Sequence, residues 1–170
     1  MGACQADIAV LIISAKEGEF EAGFEKDGQT KEHAMLAKAL GVSGFIVAIT
    51  KMGTQDWSQQ RFQAIKDQLV PFLEISCGFR DVTFIPLDSI NNVNVHKRIE
   101  GSWYNGPCLL EFLNNIQLPE RKPMGPLRMP IIDKFKEVGN LYLYGKVESG
   151  TIIEDQTITI LPSRTQAVIK

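Results

Sequence analysis

Apolar residues along this chain switch between two patterns, unbroken runs of strand length and apolar positions at helical spacing, and the switch recurs three times before residue 118. The first run, Ala6 to Ser14 (ADIAVLIIS), is apolar at nearly every position after Asp7. That composition predicts a parallel strand covered on both faces. An interior strand of this kind needs neighbours on both sides, so its place at the chain start leads us to expect that an N-terminal part of the sheet is missing. A loop rich in Glu and Gly is expected over Lys16 to Gly28. A helix follows over Gln29 to Leu40, with Ala34, Met35, Leu36, Ala37 and Leu40 as its apolar face and Gly41 as its stop. Gly44 to Thr50 (GFIVAIT) reads as the second strand. Ser58 to Glu74 reads as a longer helix, with Phe62, Ile65, Leu69, Phe72 and Leu73 at helical spacing and Pro71 placed to kink its last turn. Val82 to Leu87 gives a third strand that ends in the turn-prone Asp88-Ser89-Ile90-Asn91-Asn92, and a short helix is expected over Pro107 to Ile116.

Strand and helix in alternation predict an α/β fold with a parallel sheet over residues 1–117. Residues 118–127 read as a linker, since Leu118 to Pro126 (LPERKPMGP) holds Pro119, Pro123, Pro126 and Gly125. Beyond it the pattern becomes all-β. Arg128 to Phe135, Leu141 to Ser149, Gln156 to Leu161 and Gln166 to Lys170 are strand-like and separated by Gly, Asp and Pro turns, with no room for helices. Residues 128–170 are few for a closed barrel, so an incomplete β-barrel domain is expected there.

Composition narrows the picture by exclusion. The net charge is −2 and the sequence pI is near 5.7, which does not mark a nucleic-acid or membrane surface. Cys4, Cys77 and Cys108 are odd in number and too scattered for a disulfide framework or zinc cluster, so they read as reduced, buried thiols. The first residues lack a basic segment followed by an apolar core, and Ala6 stands where a myristoylation signal needs Ser or Thr. No apolar run approaches a membrane span.

Candidate chemistry gathers at the expected carboxyl ends of the second and third strands, where open α/β sheets hold their ligands. Thr50-Lys51-Met52-Gly53 is placed to meet a nucleotide base there, as is Asp88-Ser89-Ile90 after the third strand. The plain alternatives are a strand-to-helix turn and a turn cap. Gly23 to Thr30 matches the phosphate loop G-x-x-x-x-G-K-[ST] except for Gln29 in place of Lys. Glu17, Glu19, Glu21, Glu25 and Asp27 crowd its approach and would repel the phosphates it should cradle. His33 and His96 have no partners at ligand spacing, no nucleophile-elbow sequence supports a serine triad, and Trp57, Trp103 and Tyr104 read as packing residues.

With these residues in view, the chain resembles the translational GTPases of the elongation-factor Tu class. The stretch Thr50 to Gly53 resembles the Asn-Lys-x-Asp guanine motif, and Gly18 to Glu25 (GEFEAGFE) and Gly28 to Ala34 (GQTKEHA) match the family closely. Trp103-Tyr104-x-Gly106 resembles the segment before the last helix of its GTPase domain. Met129-Pro130-Ile131 and Gly145 to Gly150 (GKVESG) resemble the opening strands of its barrel domain. The GEFEAGFE, MPI and KVESG runs point to the eukaryotic release-factor branch. The short interval from Gly53 to Trp57 looks more like the ribosome-rescue relative that works with Pelota, or elongation factor one alpha.

The resemblance implies the C-terminal half of a P-loop-type GTPase sheet followed by the start of a second, barrel domain. It also implies GTP or GDP at the sheet edge, a cytoplasmic location, and hydrolysis coupled to translation termination on the ribosome with a stop-codon-reading release factor. It implies no membrane or direct DNA contact. Phosphate loop, switch I, the Asp-x-x-Gly of switch II and the magnesium ligands would lie upstream of residue 1. The domain that binds the stop-codon reader would lie outside the chain as well. At the base site the family's Asn and Asp become Thr50 and Gly53, and the Ser of its next base-binding loop becomes Asp88. One extra residue between Gly139 and Gly145 would flip a strand's faces unless a bulge absorbs it. Two readings follow: a partial release-factor-like GTPase, inactive alone, or a degenerate, non-hydrolysing relative that serves as an interaction module on the ribosome or with an RNA-decay partner.

Overall fold

The structure, a computed structural model, describes residues 5–25, 28–118 and 120–170. The readings of Cys4 and of the centre of the Gly23 to Thr30 run fall on residues 1–4 and 26–27 and lie outside the described residues. The chain divides into two compact units, residues 1–119 and 120–170.

In the first unit β1 (Ile8–Ser14), β2 (Gly44–Thr50) and β3 (Thr83–Pro86) form a parallel sheet in that order. The middle strand β2 is buried from Phe45 to Thr50, as its unbroken apolar run requires. Ile8 to Ser14 pairs in step with Gly44 to Thr50, and Ile46 to Ile49 with Thr83 to Pro86. All three strands therefore end at one level. Helices α2 (Gln29–Ala39) and α3 (Gln59–Pro71) fall where helical spacing predicts them, and α4 (Leu109–Asn115) is slightly shorter than expected. On α3, Phe62, Ile65 and Leu69 are buried, and each such side chain contributes about 1.5–3 kcal/mol of apolar transfer. Ser58 caps the helix by accepting the Arg61 amide.

Four expectations for this unit are corrected. The loop read over Lys16 to Gly28 contains a short helix, α1 (Glu19–Phe24). Phe20 and Phe24 stack on one another with centroids 5.5 Å apart, and Glu21 accepts the Gly18 amide at 2.7 Å, so packing and capping override a Gly- and Glu-rich composition. The long helix expected to run to Glu74 ends at Pro71. The chain widens instead into a π turn over Phe72–Ser76, closed by the Cys77 amide on Phe72 O at 3.1 Å. On α2 only Ala34 and Ala37, three apart, face the sheet, and Met35 and Leu36 are exposed. Finally, β1 is not covered on both faces. Only Ile13 is buried in it, Ile12 is 60% exposed, and the strand forms an edge of the described sheet.

In the second unit β4 (Ile131–Glu137) pairs antiparallel with β5 (Asn140–Gly145), and β6 (Thr157–Ile160) with β7 (Thr165–Val168). The two hairpins are separate two-stranded sheets, and among the described residues they do not close into a barrel. The strands expected to begin at Arg128 and to end at Ser149 are shorter. Pro130 has no amide to give, so the ladder breaks there and resumes only as the Arg128–Ser149 bridge. A bulge lies between Ile131 and Asp133, on β4 and not on the strand that carries the extra residue. The β4–β5 turn holds Val138 and Gly139 at φ 46° and 81°. Two positive φ values match the right-handed twist of a hairpin, but a β-branched residue is strained in that region.

An apolar strand with a free edge pairs readily with another chain. The 18.9 kDa chain is therefore expected to self-associate in sedimentation velocity, and Ile12→Lys to shift it towards monomer. A clean monomer for the unaltered chain would count against the edge. Val138 is 95% exposed, so Val138→Asn should relieve strain without losing packing. Denaturant unfolding should show a gain of about 1 kcal/mol.

Candidate functional site

The common level of the strand ends brings two loops together. After β2 the chain passes through Lys51, whose φ is 61°, into a 3₁₀ turn over Met52–Gln55. That turn is closed by Thr54, whose amide and hydroxyl both donate to Lys51 O, at 3.0 and 2.8 Å. After β3 the Leu87 amide donates to Ile49 O at 2.8 Å, and Leu87 O accepts the Met52 amide at 3.3 Å. The ladder between β2 and β3 thus runs on past both strands and ties the first loop to the second. Thr50 Oγ1 and Ser89 Oγ lie 3.2 Å apart and add a hydroxyl bridge. Thr50 is buried, Met52 is buried with its side chain in the hydrophobic core, and Ser89 and Ile90 are exposed.

Asp88 is 4% exposed and organises the second loop. Its Oδ1 accepts the amides of Ile90 and Asn91 at 3.1 and 3.3 Å, and its Oδ2 accepts Asn91 Nδ2 at 2.9 Å. Its backbone exchanges hydrogen bonds with Val93 at 3.0 and 2.9 Å. The contacts to the carboxylate, the Asn91 side chain first, hold it below its ordinary range against the opposing effect of burial. Gly53 lies directly against this carboxylate, since a Cβ built on it would stand 2.2 Å from Asp88 Oδ2. Asn94, buried, donates to Pro86 O at 2.7 Å and fixes where the loop returns.

On the other side of the first loop, Lys51 Nζ meets Glu19 Oε2 at 2.5 Å. Glu19 also accepts the Ser14 hydroxyl at 2.8 Å and pairs with Lys16 at 3.2 Å. Three donors, led by Lys51, lower the Glu19 carboxyl to about 2. Glu21, two residues on, takes Arg61 Nη1 at 2.8 Å, while Arg61 Nε reaches Ala15 O at 2.8 Å. Of the acidic run that argues against a phosphate loop, Glu19 and Glu21 are thus engaged by Lys51 and Arg61.

All seven sequence candidates, Thr50 to Gly53 and Asp88 to Ile90, lie on these two adjoining loops. Sequence reasoning did not identify Glu19, Asn91 or Asn94 as part of the arrangement. The clustered Asx residues after β3 carried a signal for the last two. Gly23 lies within α1, and the Gly28 amide is turned inward onto Glu25 O at 2.8 Å. His33 and His96 are exposed, and among the described residues no group of three His, Cys, Asp or Glu side chains could hold a metal ion. Cys77 and Cys108 are free and buried. Trp103 Nε1 donates to Trp57 O at 2.6 Å and its ring packs on Phe62, while burial pushes the Tyr104 hydroxyl up to about 12. None of the described helices is long and apolar enough to cross a membrane.

The model of the elongation factor Tu GTP binding domain family matches residues 1–138. The eukaryotic peptide chain release factor GTP-binding subunit of Schizosaccharomyces pombe is 43% identical over 169 residues, 95% of this chain and 25% of that protein. Protein HBS1 of Drosophila melanogaster is 40% identical over 176 residues, 99% of this chain and 26% of that protein. The crystal structure of sup35 complexed with GDP matches with a TM-score of 0.65 at 41% identity, covering 97% of this chain and 42% of that one. The chain thus spans about a quarter of the length of these two curated relatives.

The ion pair at the sheet edge sets a pH signature. A carboxyl lowered on folding contributes stability above its unfolded value, and that contribution is lost as pH falls through the folded one. NMR titration should place the Glu19 midpoint near 2 in the folded chain, and Lys51→Ala should return it towards 4.5. A midpoint near 4.5 in the unaltered chain would mean that Lys51 is not held there.

Proposed function

The chain belongs to the elongation factor Tu GTP-binding family, and from that premise we propose that it is the base-holding part of a release-factor-like translational GTPase. Residues 1–117 are then the C-terminal half of the GTPase sheet, 118–127 a linker, and 128–170 the start of the barrel domain. In the whole protein this part serves GTP binding and hydrolysis coupled to translation termination on the ribosome, in the cytoplasm, together with a stop-codon-reading factor.

One observation carries the reading. Two loops at adjacent carboxyl ends of a parallel sheet are tied together by the Met52–Leu87 and Thr50–Ser89 hydrogen bonds, which makes a rigid edge at the place where open α/β sheets hold ligands. Lys51, anchored by Glu19, supplies an aliphatic stem to lie over a purine ring. Met52, its side chain in the core, contributes through its backbone. Thr50 secures the loop through its hydroxyl, and Gly53 and Asp88 to Ile90 line the facing wall.

The residues suit a planar base and not a polyphosphate. The 170 residues hold no complete phosphate-loop sequence, and among the described residues no group of three His, Cys, Asp or Glu side chains could hold a metal ion. On this reading the chain by itself does not hydrolyse GTP.

A second reading is favoured by the Asp88 carboxylate, which is committed to its own loop and leaves the base edge without the acceptor that guanine needs. A non-hydrolysing relative that acts as an interaction module on the ribosome or with an RNA-decay partner would keep the fold and dispense with that acceptor.

Titration with fluorescent GDP and GTP, with ATP and XTP as competitors, tests the first reading. Binding should be weak and indifferent to magnesium chelation, and Lys51→Ala should weaken it about fivefold, the equivalent of about 1 kcal/mol of contact with the ring face. Tight, guanine-selective, magnesium-dependent binding would overturn the reading. Absence of any binding would favour the interaction module, which a pulldown with purified ribosomes then addresses.

A further inference from the structure

Gly53 of the first loop lies against the buried carboxylate of the second. Its φ is not positive, so the backbone conformation does not demand glycine there. Space does. A Cβ at residue 53 would stand 2.2 Å from Asp88 Oδ2, well inside van der Waals contact, and 3.4 Å from Asp88 Cγ, in ordinary contact. Neither side can retreat easily. The 3₁₀ turn is tied to Leu87 O through the Met52 amide, and the Asp88 carboxylate is held by Ile90, by the Asn91 amide and by the Asn91 side chain.

We propose that residues 53 and 88 share a single carboxylate seat, which only one of them can fill, and that Asp88 fills it facing its own loop, so that this sheet edge accepts a purine without selecting guanine. The second half rests on the base-site reading above. An ionised carboxylate offers about four acceptor positions. On Asp88, Oδ1 takes two backbone amides and Oδ2 takes the Asn91 amide group, with the Gly53 amide also bearing on the carboxylate. Guanine presents a ring N–H and an exocyclic amine side by side and needs an acceptor facing outward. Here the acceptor faces inward. Hypoxanthine, which lacks the exocyclic amine, loses nothing by this, so GDP and IDP should bind alike.

The seat predicts that the two positions are coupled. A carboxylate moved to residue 53 should be tolerated only when residue 88 gives up its own. The test is a double-mutant cycle with Gly53→Asp, Asp88→Ser and the double variant in the full 170-residue chain, read by unfolding without nucleotide and by the ratio of GDP to IDP affinity. Gly53→Asp should be strongly destabilised, and adding Asp88→Ser should recover stability instead of losing more. The affinity ratio should be near one in the unaltered chain and rise by about tenfold or more in the double variant, since a charge-assisted hydrogen bond is restored. If Gly53→Asp does not fold, Gly53→Ala carries the same cycle, because its Cβ alone meets Asp88. Additive stability effects would overturn the seat, as would guanine selectivity in Gly53→Asp alone. Coupled stability with no nucleotide bound by any variant would uphold the seat and overturn the base-site reading.

Discussion

The arrangement depends on one constraint, the burial of β2 at the centre of a parallel sheet. A strand covered on both faces must satisfy every backbone group through its neighbours, since water cannot reach it. That requirement is met by β1 and β3 along the ladder and, past the strand ends, by the alternating bonds of Ile49, Leu87 and Met52. The loops are thus extensions of the ladder and inherit its rigidity. A site built on them is positioned by backbone hydrogen bonds before any side chain chooses a partner.

The charges around this edge follow from the same geometry. Ser14 pairs across from Thr50, so the chain leaving β1 arrives beside Lys51 and delivers α1 with its acidic first turn. Glu19 then sits where a cation is already present, and Glu21 finds Arg61. These are exposed or half-exposed pairs, and such pairs contribute little to stability. Their effect is orientational: they determine where the Lys51 stem lies and which way the GEFEAGFE segment faces. Asp88 differs in kind, because it is buried and its hydrogen bonds cannot be exchanged for water without opening the loop.

How much of this could be read from residues alone depends on how local the determinant is. The three parallel strands and the helices α2, α3 and α4 were legible because unbroken apolar runs and helical spacing each have a single economical reading. Helix α1 was not, since it exists through Phe20 and Phe24 meeting the core and through one carboxylate reaching Gly18, neither of which composition encodes. Similarly, Met35 and Leu36 look like core by hydropathy and lie outside it by angle. The site loops were legible by position. Their interlock was not, because Thr50–Ser89, Lys51–Glu19 and Gly53–Asp88 each join residues more than thirty apart in sequence.

The second unit shows what happens when a pattern is right and the burial is absent. Its strand segments alternate and its turns fall at Gly, Asp and Pro, yet every residue of β4 is exposed and the two hairpins remain separate sheets. Phe135 stacks on Tyr142 with centroids 4.6 Å apart and lies 5.6 Å from Tyr144, an aromatic face that adds to the ladder of the first hairpin. Cross-strand pairs of this kind contribute roughly 0.2–1 kcal/mol each, and a lone two-stranded hairpin is marginal in water. Strand formation in this unit therefore rests on turn geometry, and Val138 in the left-handed region works against it. In the first unit burial would overrule so small a strain; here nothing is large enough to do so.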